Sequence, residues 1–241
     1  MNFQPTLMIS IMKILQRYNE VLSKAYDACP KIGQERQKVK IIAVSKNQPE
    51  ESLLEAYRNG IKIFGENRVQ ELLPKKKAMP KDVEWHFIGT LQRNKVKLLV
   101  GEVFLIHSID STSLACLVSE TALKMGIIQN VLLQVNISKE SSKHGFTIEQ
   151  LGKDINRLNE LKGIKIKGLM TIAPYTTEPE QTRRIFRELK KTAIELNELD
   201  LCGIEMKELS MGMSGDFLVA IEEGATMIRI GSLIFGERQY K

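Results

Sequence analysis

The sequence predicts a closed (β/α)8 barrel, and three observations lead there. Short β-branched runs alternate with helical patterns eight times along the chain. The 241 residues match the length that eight such units need. An open doubly wound sheet, the competing layout, would carry a GxGxxG turn after its first strand, and none follows here.

Ahead of the barrel, Met8, Ile11, Met12, Ile14, Leu15, Tyr18, Val21, Leu22 and Ala25 recur at helical spacing. Residues 8–29 therefore read as one helix docking by a single face, on the outside of the barrel or across its bottom. Residues 39–44 are the first strand, and a helix over 49–58 stops at Gly60. The second strand is 61–64, with a helix over 67–77; the third is 84–88, with a helix over 92–100. The fourth, 103–107, leads to a helix over 111–124 that Gly126 ends. The fifth is 131–136, and Thr147 and Gln150 have capping-box spacing at the start of the helix over 147–161. The sixth, 166–171, precedes a long polar helix over 178–199 that Pro179 opens. The seventh is 205–209 with a helix over 216–223, and the eighth, 226–230, passes through Gly231 into a short helix near 233–235.

Composition narrows the function. Lysine and arginine number 35 against 29 acidic residues, a formal charge of +6, with 43% hydrophobic and 27% charged residues. That balance supports one domain over 1–241, in which 1–30 form an N-terminal extension and helix, and it excludes a disordered or fibrous chain. No apolar run reaches the roughly 18 residues of a spanning helix, so no membrane role is expected. The amino end has neither a basic leader nor a small-residue cleavage site, and is not read as a signal peptide. Cys29, Cys116 and Cys202 are odd in number and lack metal-ligand spacing, which points to a reducing, cytoplasmic setting and no metal. Basic residues are interleaved with acids, so nucleic acid is not an expected partner. Only Lys75-Lys76-Lys77 forms a basic run, and it reads as a solvated helix end.

Active residues of such barrels lie at the carboxyl ends of the strands. Lys46 follows the apolar run Ile41-Ile42-Ala43-Val44 and would stand at the mouth, where desolvation disfavours its ammonium form and an amine can condense with an aldehyde. The alternative is a surface lysine that starts a loop. Two glycine-containing turns, Ser210-Met211-Gly212-Met213-Ser214 and Gly231-Ser232, follow strands seven and eight, where barrel enzymes often bind phosphate. Each alone could be a tight connection. Together with Lys46 they suggest a phosphate-bearing aldehyde, and pyridoxal 5′-phosphate (PLP) fits that description. Arg229 would then reach the pyridine nitrogen; otherwise it forms an ion pair within the barrel, with Glu66 or Glu208.

Several motifs carry a resemblance. Ala43-Val44-Ser45-Lys46, Phe64-Gly65-Glu66-Asn67, Trp85-His86-Phe87-Ile88-Gly89, His107-Ser108-Ile109-Asp110-Ser111, Gln134-Val135-Asn136-Ile137, Gly168-Leu169-Met170, Leu209 to Ser214 and Arg229-Ile230-Gly231-Ser232 stand in one order over residues 41–240. The sequence resembles the pyridoxal phosphate homeostasis protein family, single-domain relatives of the barrel of alanine racemase. The resemblance implies a barrel of the alanine racemase N-terminal type that holds PLP as a Schiff base on Lys46. It also implies that Ser210, Ser214, Gly231 and Ser232 contact the phosphate, that Arg229 faces the ring nitrogen, and that Asn67, His86 and Met170 are cofactor-binding. Asn67 as a helix cap and His86 as a satisfied core histidine are the structural alternatives.

A racemase needs two positioned acid–base groups, and in two-domain alanine racemases one is a tyrosine of a second domain. No such domain is expected here, and Tyr175 reads as a solvated loop residue. The expectation is a monomeric, non-catalytic carrier or regulator of intracellular PLP, with apo PLP enzymes as its recipients. The alternative is an amino-acid racemase or another PLP-dependent or Schiff-base enzyme of the alanine racemase fold.

Overall fold

The computed structural model describes residues 5–29, 31–32, 35–36, 38–138, 140, 144–202 and 204–236, of which 5–12, 31–32 and 35–36 are described by backbone alone. Eight parallel strands close a barrel in chain order: β1 Lys40–Val44, β2 Ile63–Glu66, β3 Glu84–Phe87, β4 Leu105–Ile109, β5 Gln129–Gln134, β6 Ile164–Met170, β7 Ile204–Met213 and β8 Met227–Ile230. Pairing of Ile228 with Ile41 and Ile230 with Ala43 joins the last strand to the first. Closure leaves the sheet without an edge, so every strand satisfies its backbone groups on both sides.

Helices cover the outside: α1 Pro5–Ala28, α2 Glu50–Arg58, α3 Val69–Ala78, α4 Val96–Leu99, α5 Thr112–Lys124, α6 Ile148–Asn159, α7 Arg183–Asn197, α8 Phe217–Glu222 and α9 Ser232–Phe235. The capping box at α6 is present, with Thr147 Oγ1 accepting from the Gln150 amide at 3.0 Å and the Gln150 side chain accepting from the Thr147 amide at 3.0 Å. Among the described residues, no helix is long and apolar enough to cross a membrane. The first helix lies on the outer wall against α8, α9 and α2, not across the bottom. Ile14, Val21, Ala25 and Cys29 face the core, whereas Leu22 is 47% exposed. It follows Val21 by about 100° around the helix, which turns it away from the buried seam. Met8, Ile11 and Met12 lie outside the described side chains.

Several sequence-predicted bounds shift. The helix expected over 92–100 is a 3-10 turn, Arg93–Lys95, followed by the single turn α4, and the one expected from 178 opens as a 3-10 turn, Pro179–Thr182. Strand β4 starts two residues later than 103, which moves His107 from the mouth into the barrel wall. Strand β7 runs to Met213, so most of the first glycine turn is strand. Three residues of β8, Met227 to Arg229, face the four of β7 from Ser210 to Met213. Gly212 accommodates this bulge at φ +88, where an added β-carbon would lie 2.6 Å from that of Ala220. The run Lys75-Lys76-Lys77 is also not wholly solvated: Lys75 is buried on the inner face of α3, which continues through Pro74.

Inside the barrel, period-two alternation splits the filling into two kinds. Ile42, Leu105, Leu132, Met170 and Met227 form an apolar cluster, with Ile63 against it. The remainder is polar and belongs to the site above it. Gly168 of β6 sits at φ +156, and a β-carbon there would overlap the Glu208 carbonyl of β7. Gly168→Ala is therefore expected to lower stability by at least about 2 kcal/mol, read from the midpoint of chemical denaturation. An unchanged midpoint would show that this contact relaxes without cost.

Candidate functional site

At the carboxyl ends of the strands lies a cavity of about 610 Å³, within the range of small-ligand sites. Lys46, Asn67, Ser214, Arg229, Gly231 and Ser232 all line it. His86, Met170 and Ser210 do not. Met170 belongs to the apolar cluster inside the barrel, and His86 and Ser210 are fully buried beneath the floor.

The position of Lys46 is set by its neighbours. Ser45 donates from Oγ to Glu66 Oε1 at 2.7 Å, and Lys75 Nζ donates both to the Ser45 carbonyl and to Glu66 Oε1, each at 2.7 Å. On the other side, the Asn47 amide donates to Glu71 Oε2 at 2.9 Å, with Asn47 in the left-handed region at φ 59. Both residues that flank Lys46 are thus tied to β2 and α3, and the half-buried Lys46 projects from a fixed turn. Burial pushes the Glu66 carboxyl up, against the Lys75 and Ser45 hydrogen bonds that pull it down. Its Oε2 has no recorded partner.

Arg229 forms the floor. Its Nη1 donates to Ser210 Oγ at 2.7 Å and its Nη2 to the Thr171 carbonyl at 2.9 Å. Neither Glu66 nor Glu208 pairs with it: Glu66 is taken by Lys75, and Glu208 meets Lys40 and Thr226. Burial lowers the Arg229 guanidinium to about 10, only partly offset by the charge of Asp216. Arg229 still remains a cation at neutral pH. Asp216 is itself pushed up by burial, while the Met213 amide, 2.6 Å from its Oδ1, and the Arg229 charge pull it down.

His86 is bonded at both nitrogens, to Glu84 Oε1 and to His107, each at 2.8 Å, which matches a satisfied core histidine. Asn67 does not cap α3, whose first flanking residue is Arg68 without a side-chain bond. Its Oδ1 is buried without a recorded partner on the cavity wall, an acceptor open to a donor from a ligand. A β-carbon at Gly215 meets nothing within 4 Å, so the turn between Ser214 and Asp216 borders open space beside two hydroxyl groups, Ser214 and Ser232. The donor set thus comprises one amine, one buried guanidinium, two hydroxyls and a glycine-flanked turn facing an orphaned acceptor. It fits an anionic, planar molecule bearing a carbonyl.

Sequence reasoning did not single out Gln48, Asp216 or, apart from Tyr175, which it read as a solvated loop residue, the segment 172–176, all of which line the cavity. The last of these follows β6, and its position after a barrel strand was the available signal. Tyr175 is on that segment, 93% exposed.

Comparison with known proteins gives the chain a family and a fold. The pattern of the alanine racemase N-terminal domain matches residues 31–239. A pyridoxal phosphate homeostasis protein from Aquifex aeolicus is 46% identical over 230 residues, 95% of this chain and 100% of that one. The chain belongs to the pyridoxal phosphate homeostasis protein family. Its relative of the same name from Schizosaccharomyces pombe is 39% identical over 206 residues, 83% of this chain and 84% of that one. PipY of Synechococcus elongatus PCC7942, whose structure has PLP bound, is 36% identical with a TM-score of 0.80, covering 92% of this chain and 100% of that one. An alanine racemase from Clostridium difficile is 17% identical with a TM-score of 0.69, over 94% of this chain and 57% of that one, a likeness of fold alone.

The Glu66–Lys75 pair yields a test of the turn that carries Lys46. Lys75→Met leaves Glu66 buried without its cation and is expected to cost about 3–5 kcal/mol in chemical denaturation. In that variant the folded Glu66 holds its proton more tightly than the unfolded chain does. Its protonated form supports the fold at low pH, and that support is lost as pH rises through its folded value. The deficit should therefore shrink on acidification; one that is independent of pH would assign the loss to packing.

Proposed function

We propose that this protein binds PLP in the cavity at the carboxyl ends of its strands, as a single cytoplasmic domain acting in PLP homeostasis without catalytic turnover. The observation that carries the reading is the convergence of Lys46, Arg229 and the Ser214 and Gly231-Ser232 turns on one cavity. The names of its relatives and the PLP held by PipY support it. Bound PLP supplies an aldehyde that condenses with a primary amine and a pyridine ring that draws electrons from what is attached to it.

In this reading Lys46 Nζ is the amine of a Schiff-base linkage. Ser214, Gly231 and Ser232 take the phosphate through hydroxyl and backbone donors, and Asn67 Oδ1 accepts from a donor of the ligand. Arg229 donates to the ring nitrogen. A guanidinium has only donors to offer, so it leaves that nitrogen without a proton and the ring a weaker electron sink. Ser210 and His86 act from beneath the floor, and Met170 as apolar filling below the cavity. A carrier needs no second acid–base group, whereas a racemase does. The chain works as a monomer whose recipients are apo PLP enzymes.

The test of the linkage is the visible spectrum of the purified protein mixed with PLP, before and after borohydride. The unaltered protein should show the absorbance of a Schiff base and, after reduction, keep the cofactor on the Lys46 peptide in a mass spectrum. Lys46→Ala should lose both while unfolding at nearly the same temperature; retention of reduced cofactor by this variant would assign another lysine. Turnover is tested separately. The PLP-loaded protein with L- or D-alanine should not change chirality faster than free PLP does, and clear racemisation would overturn the carrier reading.

A further inference from the structure

A row of buried polar side chains runs through the barrel interior from the cavity floor to the opposite rim. Arg229 Nη1 lies 2.7 Å from Ser210 Oγ, which is 2.8 Å from His107 Nδ1. His107 Nε2 is 2.8 Å from His86 Nδ1, and His86 Nε2 is 2.8 Å from Glu84 Oε1. Glu84 is the first residue of β3, at the amino-terminal rim, with its side chain 29% exposed. Ser210, His107 and His86 are fully buried.

The two ends dictate the direction of every hydrogen bond. Arginine can only donate, so Ser210 Oγ accepts from it and has its own proton available for His107 Nδ1. That nitrogen is then an acceptor, and a neutral His107 carries its proton on Nε2 and donates to His86 Nδ1. By the same step His86 carries its proton on Nε2 and donates to Glu84, whose carboxylate can only accept. Reversal is blocked at the Glu84 end, because an ionised carboxylate cannot donate to His86 Nε2 and a neutral imidazole carries only one proton. Burial holds both imidazoles below the usual histidine range, opposed at His86 by the Glu84 carboxylate.

We propose that Ser210, His107, His86 and Glu84 are positioning residues, a one-way hydrogen-bonded column that fixes Arg229 as a permanent donor toward the cavity. The proposal rests on the reading that Arg229 meets the ring nitrogen of PLP. Every proton in the column points away from the cavity, so the column anchors the guanidinium without being able to hand a proton to the ligand. Other charged groups facing it are Lys40 and Glu208 at the rim and Asp216 near Arg229. Phe104 packs its ring 5.7 Å from that of His86.

Two measurements test this. The first uses the protein without ligand: imidazole nitrogen NMR, assigned with His86→Gln and His107→Gln, between about pH 6 and pH 8, the span where an unperturbed histidine titrates. Both rings should be neutral with the proton on Nε2 throughout; a proton on Nδ1 of either ring, or a charged ring, would overturn the column. The second compares dissociation constants for PLP and for an analogue with carbon in place of the ring nitrogen. Ser210→Ala should weaken PLP by about tenfold, the scale of one hydrogen bond to a charged group, and the analogue by less than about twofold. Glu84→Gln, which still accepts from His86, should bind PLP like the unaltered protein, whereas Glu84→Leu should weaken it selectively. Equal losses for both ligands would reduce these residues to packing and defeat the proposal. If the unaltered protein bound neither ligand, the cofactor reading itself would fail, and the ligand-free spectrum would still decide whether the column exists.

Discussion

The constraint on which the rest of this structure depends is a guanidinium held inside a barrel with no carboxylate in contact. Among the described residues, the hydrogen-bond partners of Arg229 are a hydroxyl and a carbonyl, and its nearest compensating charge, Asp216, acts from beyond ion-pair distance. A buried cation in that condition is costly unless polar groups are arranged for it. The barrel supplies them from two strands: Ser210 on β7, Thr171 just after β6, and the Asp216 turn after β7. The bulge at Gly212 lets β7 present both Ser210 below the floor and Met213-Ser214 at the cavity wall.

The other side of the cavity is organised by the opposite device, a buried carboxylate and ammonium in direct contact. Glu66 and Lys75 do not approach the cavity themselves. They hold the Ser45 carbonyl and hydroxyl, while Glu71, one helical turn before Lys75, holds the Asn47 amide. The amine and the guanidinium therefore differ in how they are fixed. Lys46 is positioned through the backbone on either side of it, at Ser45 and Asn47. Arg229 is positioned through its head group and has little freedom left.

How much of this could be read from the sequence follows from the range of each interaction. The barrel was legible because alternation of strand and helix is local, and Lys46, Ser214, Arg229, Gly231 and Ser232 were legible because each sits just inside or after a strand end, where the fold fixes its place. Lys75 was misread because the helix face that buries it is decided by Glu66, nine residues away on another element. His86, Met170 and Ser210 were assigned to the ligand although they lie a layer deeper. The face of a strand residue follows from alternation, but its depth depends on how far the strand runs and on what packs around it: β7 extends four residues past its expected end at Leu209 and takes Ser210 into the wall, whereas His86 and Met170 lie on strands whose bounds shift little and are covered by their neighbours inside the barrel. The bond between His107 and Ser210 spans 103 residues and has no local signature at all.

The division of the barrel interior carries one more step of argument. One half is filled by Ile42, Leu105, Leu132, Met170 and Met227, in the ordinary manner of such barrels. The other half contains two imidazoles, a hydroxyl and a guanidinium, a filling that by burial alone is inferior to aliphatic side chains of the same volume. Apolar residues at positions 86, 107 and 210 would leave Arg229 Nη1 without an acceptor and would gain nothing at the cavity. The polar half is therefore explained by what it does for Arg229, not by what it adds to the core. Through Arg229 the column offers the cavity a donor and no acceptor, because a guanidinium has only N–H groups to present.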